Sequence, residues 1–376
     1  MEFRDLKKQY HILKNDIDEA IRSVLEQSNY ISGNQVAELE EALAGYVGVK
    51  HCITCANGTD ALSLAMLAWN IGAGDAVFVP DFTFFSSGEI VAFAGATPVF
   101  VDIEEDTFNM SADSLEKAII KVIDEGKLTP KVIVAVDLFG QPADYDQIIP
   151  IAKKYDLKIL EDGAQGFGGN IRGKKACSFG DISTTSFFPA KPLGCYGDGG
   201  AIFTDDDDLA SLIRSFRIHG KGTDKYDNVR IGMNSRLDTL QAAILKVKFE
   251  AFKSYEFEDV NKVAMRYTKL LEGAVKTPTI KTGFLSSWAQ YSILLKNQEQ
   301  RDGLQVALKA EGIPSMIYYR KPMHVQGAFE KFDCVKTDLA VTEDVCNRVL
   351  SLPLHPYMTH EEQNQVVHVI RYYINI

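Results

Sequence analysis

Lys191 is the residue whose surroundings in the sequence best suit it for chemistry. It lies in the segment Ser186-Phe187-Phe188-Pro189-Ala190-Lys191-Pro192-Leu193-Gly194, after an apolar run and before a glycine-rich stretch. Such a turn lets the backbone pack closely around one side chain, and the two prolines restrict the chain on either side. Burial would lower the pKa of this lysine and leave a nucleophilic amine able to form a Schiff base. The alternative is an ordinary surface lysine beside a turn, so partners elsewhere in the chain must decide.

A carboxylate and an amide follow another strand-like run. Asp162 comes just after the apolar run Lys158–Leu160. Burying a carboxylate costs free energy unless it meets a cation or hydrogen-bond donors, and a protonated pyridine nitrogen would be such a cation. Gln165, three residues on, carries an amide that could donate to a phenolic oxygen. A carboxylate that caps the next turn is the structural alternative.

The turn Asn57-Gly58-Thr59-Asp60 joins a predicted strand to a predicted helix, which Thr59 is suited to cap. Free N–H groups and the helix dipole make such a start a good phosphate site. Ser186, five residues before Lys191, could add a hydroxyl donor. The sequence contains neither the P-loop pattern nor Gly-x-Gly-x-x-Gly, which disfavours a nicotinamide oxidoreductase.

Three phenylalanines, Phe82, Phe84 and Phe85, follow Pro80 at a further predicted strand end. One of them could stack on a flat aromatic ligand, although core packing would also explain them. An amine nucleophile, a carboxylate, a stacking ring and a phosphate cradle together fit pyridoxal phosphate (PLP). In this interpretation Lys191 forms the Schiff base, and a carboxylate keeps the pyridine nitrogen protonated so that the ring can accept electrons.

Short apolar strands that alternate with helices would position these residues. This order indicates an α/β fold with a mainly parallel sheet covered on both faces. The predicted strands are His51–Cys55, Ala76–Val79, Thr97–Val101, Val132–Val136, Lys158–Leu160, Asp181–Phe187 and Gly200–Thr204. Because such sheets bind ligands at the carboxyl ends of their strands, we expect Asp81–Phe85, Asp162–Gln165 and Ser186–Lys191 to converge on one crevice.

The second half of the chain predicts a smaller domain. Asp238–Leu271 keeps one helical pattern and is interpreted as the connection between a large domain, residues 1–245, and a small α/β domain, residues 246–376. Beyond it, strand and helix patterns alternate again. The predicted segments are strands at Tyr291–Leu295 and Ile313–Tyr318 and helices at Arg301–Ala310, Ala340–Val349 and His360–Tyr373.

The overall composition excludes several classes of function. The net charge of −11 and the pI near 5.2 argue against a general nucleic-acid partner. No stretch reaches the length of a membrane span, and the first residues lack an apolar signal core, so a cytoplasmic location is expected. Six cysteines without a signal predict no disulfides, and Cys52-x-x-Cys55 has no second pair to complete a metal site, so no metal is expected.

The motifs together resemble the nucleotide-sugar aminotransferases, PLP enzymes of the aspartate aminotransferase fold. The resemblance runs over essentially the whole chain. Its motifs are Ala56-Asn57-Gly58-Thr59-Asp60-Ala61-Leu62, Glu161-Asp162-Gly163-Ala164-Gln165, Ser186–Gly194, Gly197-Asp198-Gly199-Gly200 and Gly232-Met233-Asn234-Ser235-Arg236-Leu237. It implies fold type I, with a mainly parallel seven-stranded sheet in the large domain and a smaller C-terminal α/β domain.

The resemblance also implies a role for each matching residue. Lys191 corresponds to the Schiff-base lysine and proton shuttle, and Asp162 and Gln165 correspond to the partners of the pyridine nitrogen and the phenolic oxygen. Other matches bind the cofactor. Gly58, Thr59 and Ser186 correspond to residues that bind its phosphate, and Asn234 corresponds to one that binds the phosphate across a homodimer interface. Phe84 corresponds to the residue that stacks on its ring, with Phe85 as a substitute. Gly163 departs from the alanine usual in the family.

Within the family, Ser186–Ile202 and Asn234–Leu245 are most similar to bacterial O-antigen enzymes that aminate a UDP-linked 3-oxo-glucuronic acid derivative, with glutamate as the usual donor. In this interpretation Arg236 binds the sugar carboxylate or a phosphate, and Tyr319 and His219 line the sugar pocket. Alternatives remain open: a dTDP-linked 3- or 4-keto deoxysugar as substrate, a PLP-dependent sugar dehydratase, and a non-catalytic regulatory protein. Lys191 argues against the dehydratase, because those relatives replace this lysine.

Overall fold

A computed structural model describes residues 1–224 and 226–374 of the chain. Its strands are β1 His51–Cys55, β2 Asp75–Pro80, β3 Thr97–Val101, β4 Thr129–Val136, β5 Lys158–Asp162, β6 Asn170–Ile171, β7 Lys174–Lys175, β8 Ile182–Ser186, β9 Gly200–Thr204, β10 Phe284–Leu285, β11 Tyr291–Leu294, β12 Val335–Lys336 and β13 Val349–Leu352. Its α-helices are α1 Leu6–Gln27, α2 Asn34–Val47, α3 Gly58–Ala68, α4 Ser86–Phe93, α5 Ala112–Glu125, α6 Tyr145–Lys154, α7 Asp207–Phe216, α8 Thr239–Ala251, α9 Phe257–Leu271, α10 Gln298–Ala310, α11 Ala340–Arg348 and α12 His360–Ile374.

The central sheet has the strand order β1-β9-β8-β5-β4-β2-β3-β12. All seven predicted strands are in it, and the sheet is parallel except where β9 pairs antiparallel with β1 and β8. The prediction of seven strands is one short, because β12 adds an eighth, parallel to β3, with Val335 opposite Val99. A two-residue strand is too short to leave a pattern in the sequence.

The sheet is covered on both faces, as its strand composition indicates. Along β4, Val132, Val134 and Val136 pack in a cluster with residues of α3, α4 and α7, whereas Ile133 and Ala135 pack on the opposite side with residues of α5 and α6. Successive side chains of a strand point to opposite faces, so a continuous apolar run is required when both faces are buried.

The segment predicted as one helix over Asp238–Leu271 is two helices joined without a break. A π-helical stretch, Phe252–Glu256, separates α8 from α9. Upstream of it α8 packs against α1 and α2, and downstream α9 packs against α12. One other expectation was wrong, because Ile313–Tyr318 forms a single bridge from Met316 to Ser351 instead of a strand. Helix α7 was not among the predicted elements.

The C-terminal part has its own apolar cluster, formed by side chains of α9, β11, α10, β13 and α12. The N-terminal segment also reaches it, since Leu354 N donates to Phe3 O at 3.1 Å. The division into domains at residue 245 stays a prediction. Within the described parts of the chain, every helix is too short or too polar to cross a membrane.

Candidate active site

Three predicted loops meet at the carboxyl ends of β2, β5 and β8. Asp162 is the last residue of β5, and Ser186 is the last residue of the parallel neighbour β8. The charges of Asp162 and Lys191 are close enough for each to alter the pKa of the other. The structure therefore brings together the two residues assigned to catalysis, which lie 29 positions apart (191 − 162) in the sequence.

The Lys191 loop is held by its own backbone. Lys191 N donates to Phe188 O at 2.9 Å, and Cys195 N donates to Phe187 O at 2.8 Å. A Cβ on Gly194 would lie 2.5 Å from Phe188 O, so the turn closes only with glycine at that position. Burial lowers the pKa of Lys191, the negative charge of Asp162 opposes this, and the positive charge of Arg4 adds to it.

Asp162 is buried and hydrogen-bonded on both oxygens. Ser87 Oγ donates to Oδ2 at 2.7 Å, and Ala164 N donates to Oδ1 at 3.2 Å. Burial raises the pKa of Asp162, whereas the Ser87 hydroxyl, the Lys191 charge and the Ala164 amide lower it. A buried carboxylate with these donors suits the predicted partner of a protonated ring nitrogen, and that role stays a prediction.

Gln165 is fixed in orientation by two partners. Its Oε1 accepts from Phe139 N at 2.7 Å, and its Nε2 donates to Tyr319 Oη at 3.2 Å. Tyr319 thus lies at the site, next to a residue assigned to the cofactor. The amide keeps a second N–H, so Gln165 can still donate to a phenolic oxygen.

The predicted phosphate residues lie side by side. A Cβ on Gly58 would lie 2.8 Å from the Cβ of Ser186, so any larger residue at position 58 would displace Ser186. The prediction that Thr59 caps α3 was wrong: the helix begins at Gly58, and the Asn57 side chain accepts from Asp60 N at 2.8 Å. Thr59 instead places its hydroxyl 2.8 Å from that of Ser86. Gly58 and Ser186 are therefore neighbours at the start of α3, and Thr59 follows Gly58 at the same helix start.

Of the three candidate stacking rings, only Phe84 remains exposed. It is 53% accessible, and its ring centre lies 6.4 Å from that of Tyr319. Phe82 is buried against the same tyrosine at 5.9 Å, and Phe85 packs on Phe329 at 5.5 Å. The geometry favours Phe84 over Phe85 as the surface for a flat ligand.

The segment with Asn234 and Arg236 lies beside the turn that is predicted to bind phosphate. Ala56 N donates to Ser235 Oγ at 3.0 Å, directly before the Asn57–Gly58 turn. Asn234 is exposed, and within the described ranges no hydrogen bond or ion pair engages the side chain of Arg236. His219 is exposed too, with a left-handed backbone (φ 59°), and its amide donates to Met233 O at 2.8 Å.

Two residues at the site were not predicted from the sequence. Ser87 binds Asp162, but nothing in the Ser86-Ser87 pair indicates which hydroxyl faces the carboxylate. Arg4 lies against the Lys191 loop, where its Nη2 donates to Pro192 O at 3.4 Å. The sequence around Arg4 does not indicate that its side chain contacts a loop 188 residues away.

The donor set fits PLP. A buried carboxylate near a lysine of lowered pKa suits the pyridine nitrogen and the aldehyde carbon of that cofactor, and the Gly58 pocket is one that a Cβ would fill. Among residues 1–224 and 226–374, no cluster of histidine, cysteine or acidic side chains is arranged to hold a metal ion. All six cysteines are free thiols.

Comparison with known proteins gives extensive matches. The chain is 45% identical over 361 residues to the UDP-2-acetamido-2-deoxy-3-oxo-D-glucuronate aminotransferase of Pseudomonas aeruginosa, covering 95% of this chain and 96% of the relative. The crystal structure of a DegT DnrJ EryC1 StrS aminotransferase from Brucella abortus covers 100% of both chains, with 48% identity and a TM-score of 0.97. NtdA from Bacillus subtilis, solved with its bound cofactor PMP, is 30% identical with a TM-score of 0.86, covering 97% of this chain and 82% of that one.

The match to a family extends along nearly the whole sequence. Residues 11–371 match the DegT/DnrJ/EryC1/StrS aminotransferase family. This match confirms the predicted class of enzyme, and the fold of the solved relatives confirms the predicted α/β architecture. The chain belongs to the DegT/DnrJ/EryC1/StrS aminotransferase family.

Proposed function

We propose that this chain is a PLP-dependent aminotransferase that moves an amino group from glutamate to a nucleotide-linked keto sugar. The observation that carries the proposal is the half-buried Lys191 beside the buried carboxylate of Asp162, in a chain of this family. When bound, PLP supplies an aldehyde that condenses with amines and a pyridine ring that accepts electron density. The protein must then hold this group, orient it and move protons.

Each residue of the site contributes one of these functions. Asp162 holds the proton on the pyridine nitrogen, and its pKa is kept from rising further by Ser87, so it can stay ionised in its buried position. Gln165 donates its free N–H to the phenolic oxygen. Phe84 would pack on the ring of the cofactor, while Gly58, Thr59 and Ser186, which lie at the start of α3, would bind its phosphate.

Lys191 would hold the aldehyde of the cofactor between turnovers, and its amine would move a proton during them. Because burial lowers its pKa, its amine is neutral at a lower pH than that of an exposed lysine, and a neutral amine can accept a proton from the substrate carbon. The same amine returns a proton in the second half of the reaction, when the keto sugar receives the nitrogen.

For the acceptor we propose a UDP-linked 3-oxo sugar acid, the type of substrate in the name of the Pseudomonas relative. Arg236 supports this choice, since a guanidinium with no protein partner in the described ranges suits a carboxylate in bidentate geometry. Tyr319 and His219 are proposed to line the sugar pocket. A dTDP-linked keto deoxysugar is the alternative substrate, because Arg236 could equally bind a phosphate.

We further propose a cytoplasmic homodimer with shared active sites, acting in O-antigen-type polysaccharide biosynthesis. Asn234 supports the shared site: it is exposed on the segment next to the phosphate pocket, where it can reach a second subunit. A two-fold dimer would give two equivalent composite sites.

The proposal can be tested by a coupled assay of glutamate-dependent amination against a panel of UDP- and dTDP-linked keto sugars, with the matching hydroxy sugars as controls. Purified protein should be yellow, and borohydride reduction should attach the cofactor to the peptide that contains Lys191. A colourless protein that takes up no PLP would instead favour a non-catalytic regulatory role. Formation of a dehydrated sugar without loss of glutamate would favour the dehydratase.

A further inference from the structure

A buried carboxylate–imidazole pair lies at the carboxyl end of β2, outside the residues assigned above. Asp81 directly follows the strand and is fully buried (0% exposed). Its Oδ2 accepts from His324 Nδ1 at 2.6 Å, and its Oδ1 accepts from His324 N at 2.8 Å. Its backbone oxygen also accepts from Met323 N at 2.9 Å. Three hydrogen bonds thus join the end of β2 to the segment 319–325.

The same two parts of the chain meet again at Tyr319, five residues before His324. The Tyr319 ring contacts Phe82 edge-on, contacts Phe84, and its hydroxyl accepts from Gln165 Nε2. Phe82 directly follows Asp81 in the sequence, and Phe84 lies three residues after it. The pair therefore fixes one end of a short segment whose other end touches the cofactor residues.

The buried carboxylate–imidazole pair is better suited to positioning the chain than to stabilising the fold. Burial raises the pKa of Asp81, and the hydrogen bonds from His324 oppose this shift. Apolar side chains of similar size would often give a buried site the same stability, because burying charged or polar groups costs solvation. Because both hydrogen bonds join Asp81 to His324, they fix the orientation of the imidazole and of the backbone at His324. The other charged group facing the imidazole is Glu343, whose Oε1 lies 3.6 Å from Nε2 on the solvent side.

We propose that Asp81 and His324 are positioning residues that hold Tyr319 on Gln165 and beside Phe84, and so set the geometry of the cofactor-facing surface. This inference rests on the proposed function, since Gln165 and Phe84 are assigned there to PLP. Neither member of the pair needs to touch the cofactor. A displacement of about 1 Å can reduce the rate about 100-fold when reacting groups are misplaced, so indirect positioning has a measurable effect.

The first test compares three substitutions by titrating the apoprotein with PLP, followed by protein fluorescence. His324→Leu removes the ring hydrogen bond at similar volume, His324→Asn keeps an N–H donor near the place of Nδ1, and Glu343→Gln is the matched control on the solvent side. We expect His324→Leu to weaken PLP binding about 10-fold and to lower kcat more than it changes KM. His324→Asn should restore most of the affinity, and Glu343→Gln should behave as wild type.

The second test is a double-mutant cycle of His324→Leu with Tyr319→Phe. If the pair acts through Tyr319, the losses in PLP affinity do not add, because either change releases the same contact. Additive losses would overturn the proposal. So would a His324→Leu protein that melts at a lower temperature but keeps wild-type affinity and kcat, since that outcome assigns the pair to stability. If His324→Leu does not fold, Asp81→Asn replaces it in both tests. A wild-type apoprotein that binds no PLP would instead contradict the proposed function.

Discussion

The two halves of the site differ in how many of their polar side-chain atoms have hydrogen-bond partners within the chain. The floor, defined as Lys191, Asp162, Gln165 and Ser87, is buried or half-buried, and both oxygens of Asp162 and both polar atoms of Gln165 have protein partners. The rim, defined as Asn234, Arg236 and His219, is more exposed, and in the described ranges the side chains of Asn234 and Arg236 form no hydrogen bond. The floor is held in place by contacts within its own chain, whereas the proposed function assigns the rim to a ligand or a second subunit.

The largest effect is expected at the floor, from Lys191→Ala. No other residue of the proposed site carries an amine, so turnover should fall by at least about 10³-fold while the protein still folds. Steady-state amination and the melting temperature would be measured, with Lys174→Ala on the exposed strand β7 as control. Activity near that of the control would show that another residue is the base.

Asp162→Asn should come next, with a loss of about 10²-fold in kcat, because a neutral amide cannot hold the pyridine proton. The change should also lower the pKa of Lys191, since the Asp162 charge now raises it. In the apoprotein, modification of Lys191 by an amine reagent should therefore begin at a lower pH. The control is Asp146→Asn, a surface carboxylate paired with Arg172. An unchanged pH dependence would mean that the two charges do not interact.

Mixing two inactive chains separates the floor from the rim most directly. One chain carries Lys191→Ala and the other Asn234→Asp, which sets a negative charge against the phosphate. If Asn234 acts across a dimer interface, random exchange should restore about a quarter of wild-type activity, because half of the dimers each gain one intact site. If Asn234 serves its own chain, mixing restores nothing. Exchange would be checked with differently tagged chains.

Ser87→Ala tests the hydrogen bond that completes the floor. Loss of one donor to a buried carboxylate should reduce kcat about 10-fold. Because Ser87 lowers the pKa of Asp162, its removal raises that pKa, so the acid limb of the pH–rate profile should move to higher pH. The exposed Ser254→Ala is the control. A shift toward lower pH would contradict the assignment.

The smallest effect is expected at the rim, from Arg236→Lys. Lysine keeps the charge but loses the bidentate geometry, so kcat/KM for an acid sugar should fall about 5-fold more than for its uncharged analogue. Arg22→Lys, on the exposed face of α1, is the control. Equal losses on both sugars would assign Arg236 to phosphate binding or structure and remove the physical support for a sugar acid.

The sequence predicted that Asp162 and Lys191 of the floor lie close together, and the reason is physical. Long apolar runs mark buried parallel strands, and parallel strands place their carboxyl ends at one edge, so Asp162 and Lys191 could be brought together without any contact being known. The contacts that complete the floor were not predictable. The hydrogen bond from Gln165 to Tyr319 joins residues that are 154 positions apart. No spacing pattern around Gln165 in the sequence indicates a partner at that distance.

The same limit applies to the fold. The seven predicted strands were found from short apolar runs that alternate with helices, but β12 consists of two residues and is recognised only by its pairing with β3. The helix α7 begins with acidic residues, which are compatible with a turn as well as with a helix start. Its cap becomes clear only from the bonds that the Asp206 side chain accepts from the amides of Asp208 and Leu209.

The π-helical stretch between α8 and α9 sets how this region can tolerate insertions and deletions. A π turn contains one residue more than an α turn of the same extent, and each residue of an α-helix turns the chain by about 100°. Deleting one residue within Phe252–Glu256 would convert the stretch to a regular α turn of about the same rotation, so α9 would keep its orientation relative to α8. The same deletion between Phe257 and Val263 has no extra residue to remove, so it would rotate the rest of α9 by about 100° and take Val263 and Tyr267 out of the C-terminal apolar cluster. The π-helical stretch is therefore the part of this helical segment that can lose a residue with the least change in packing.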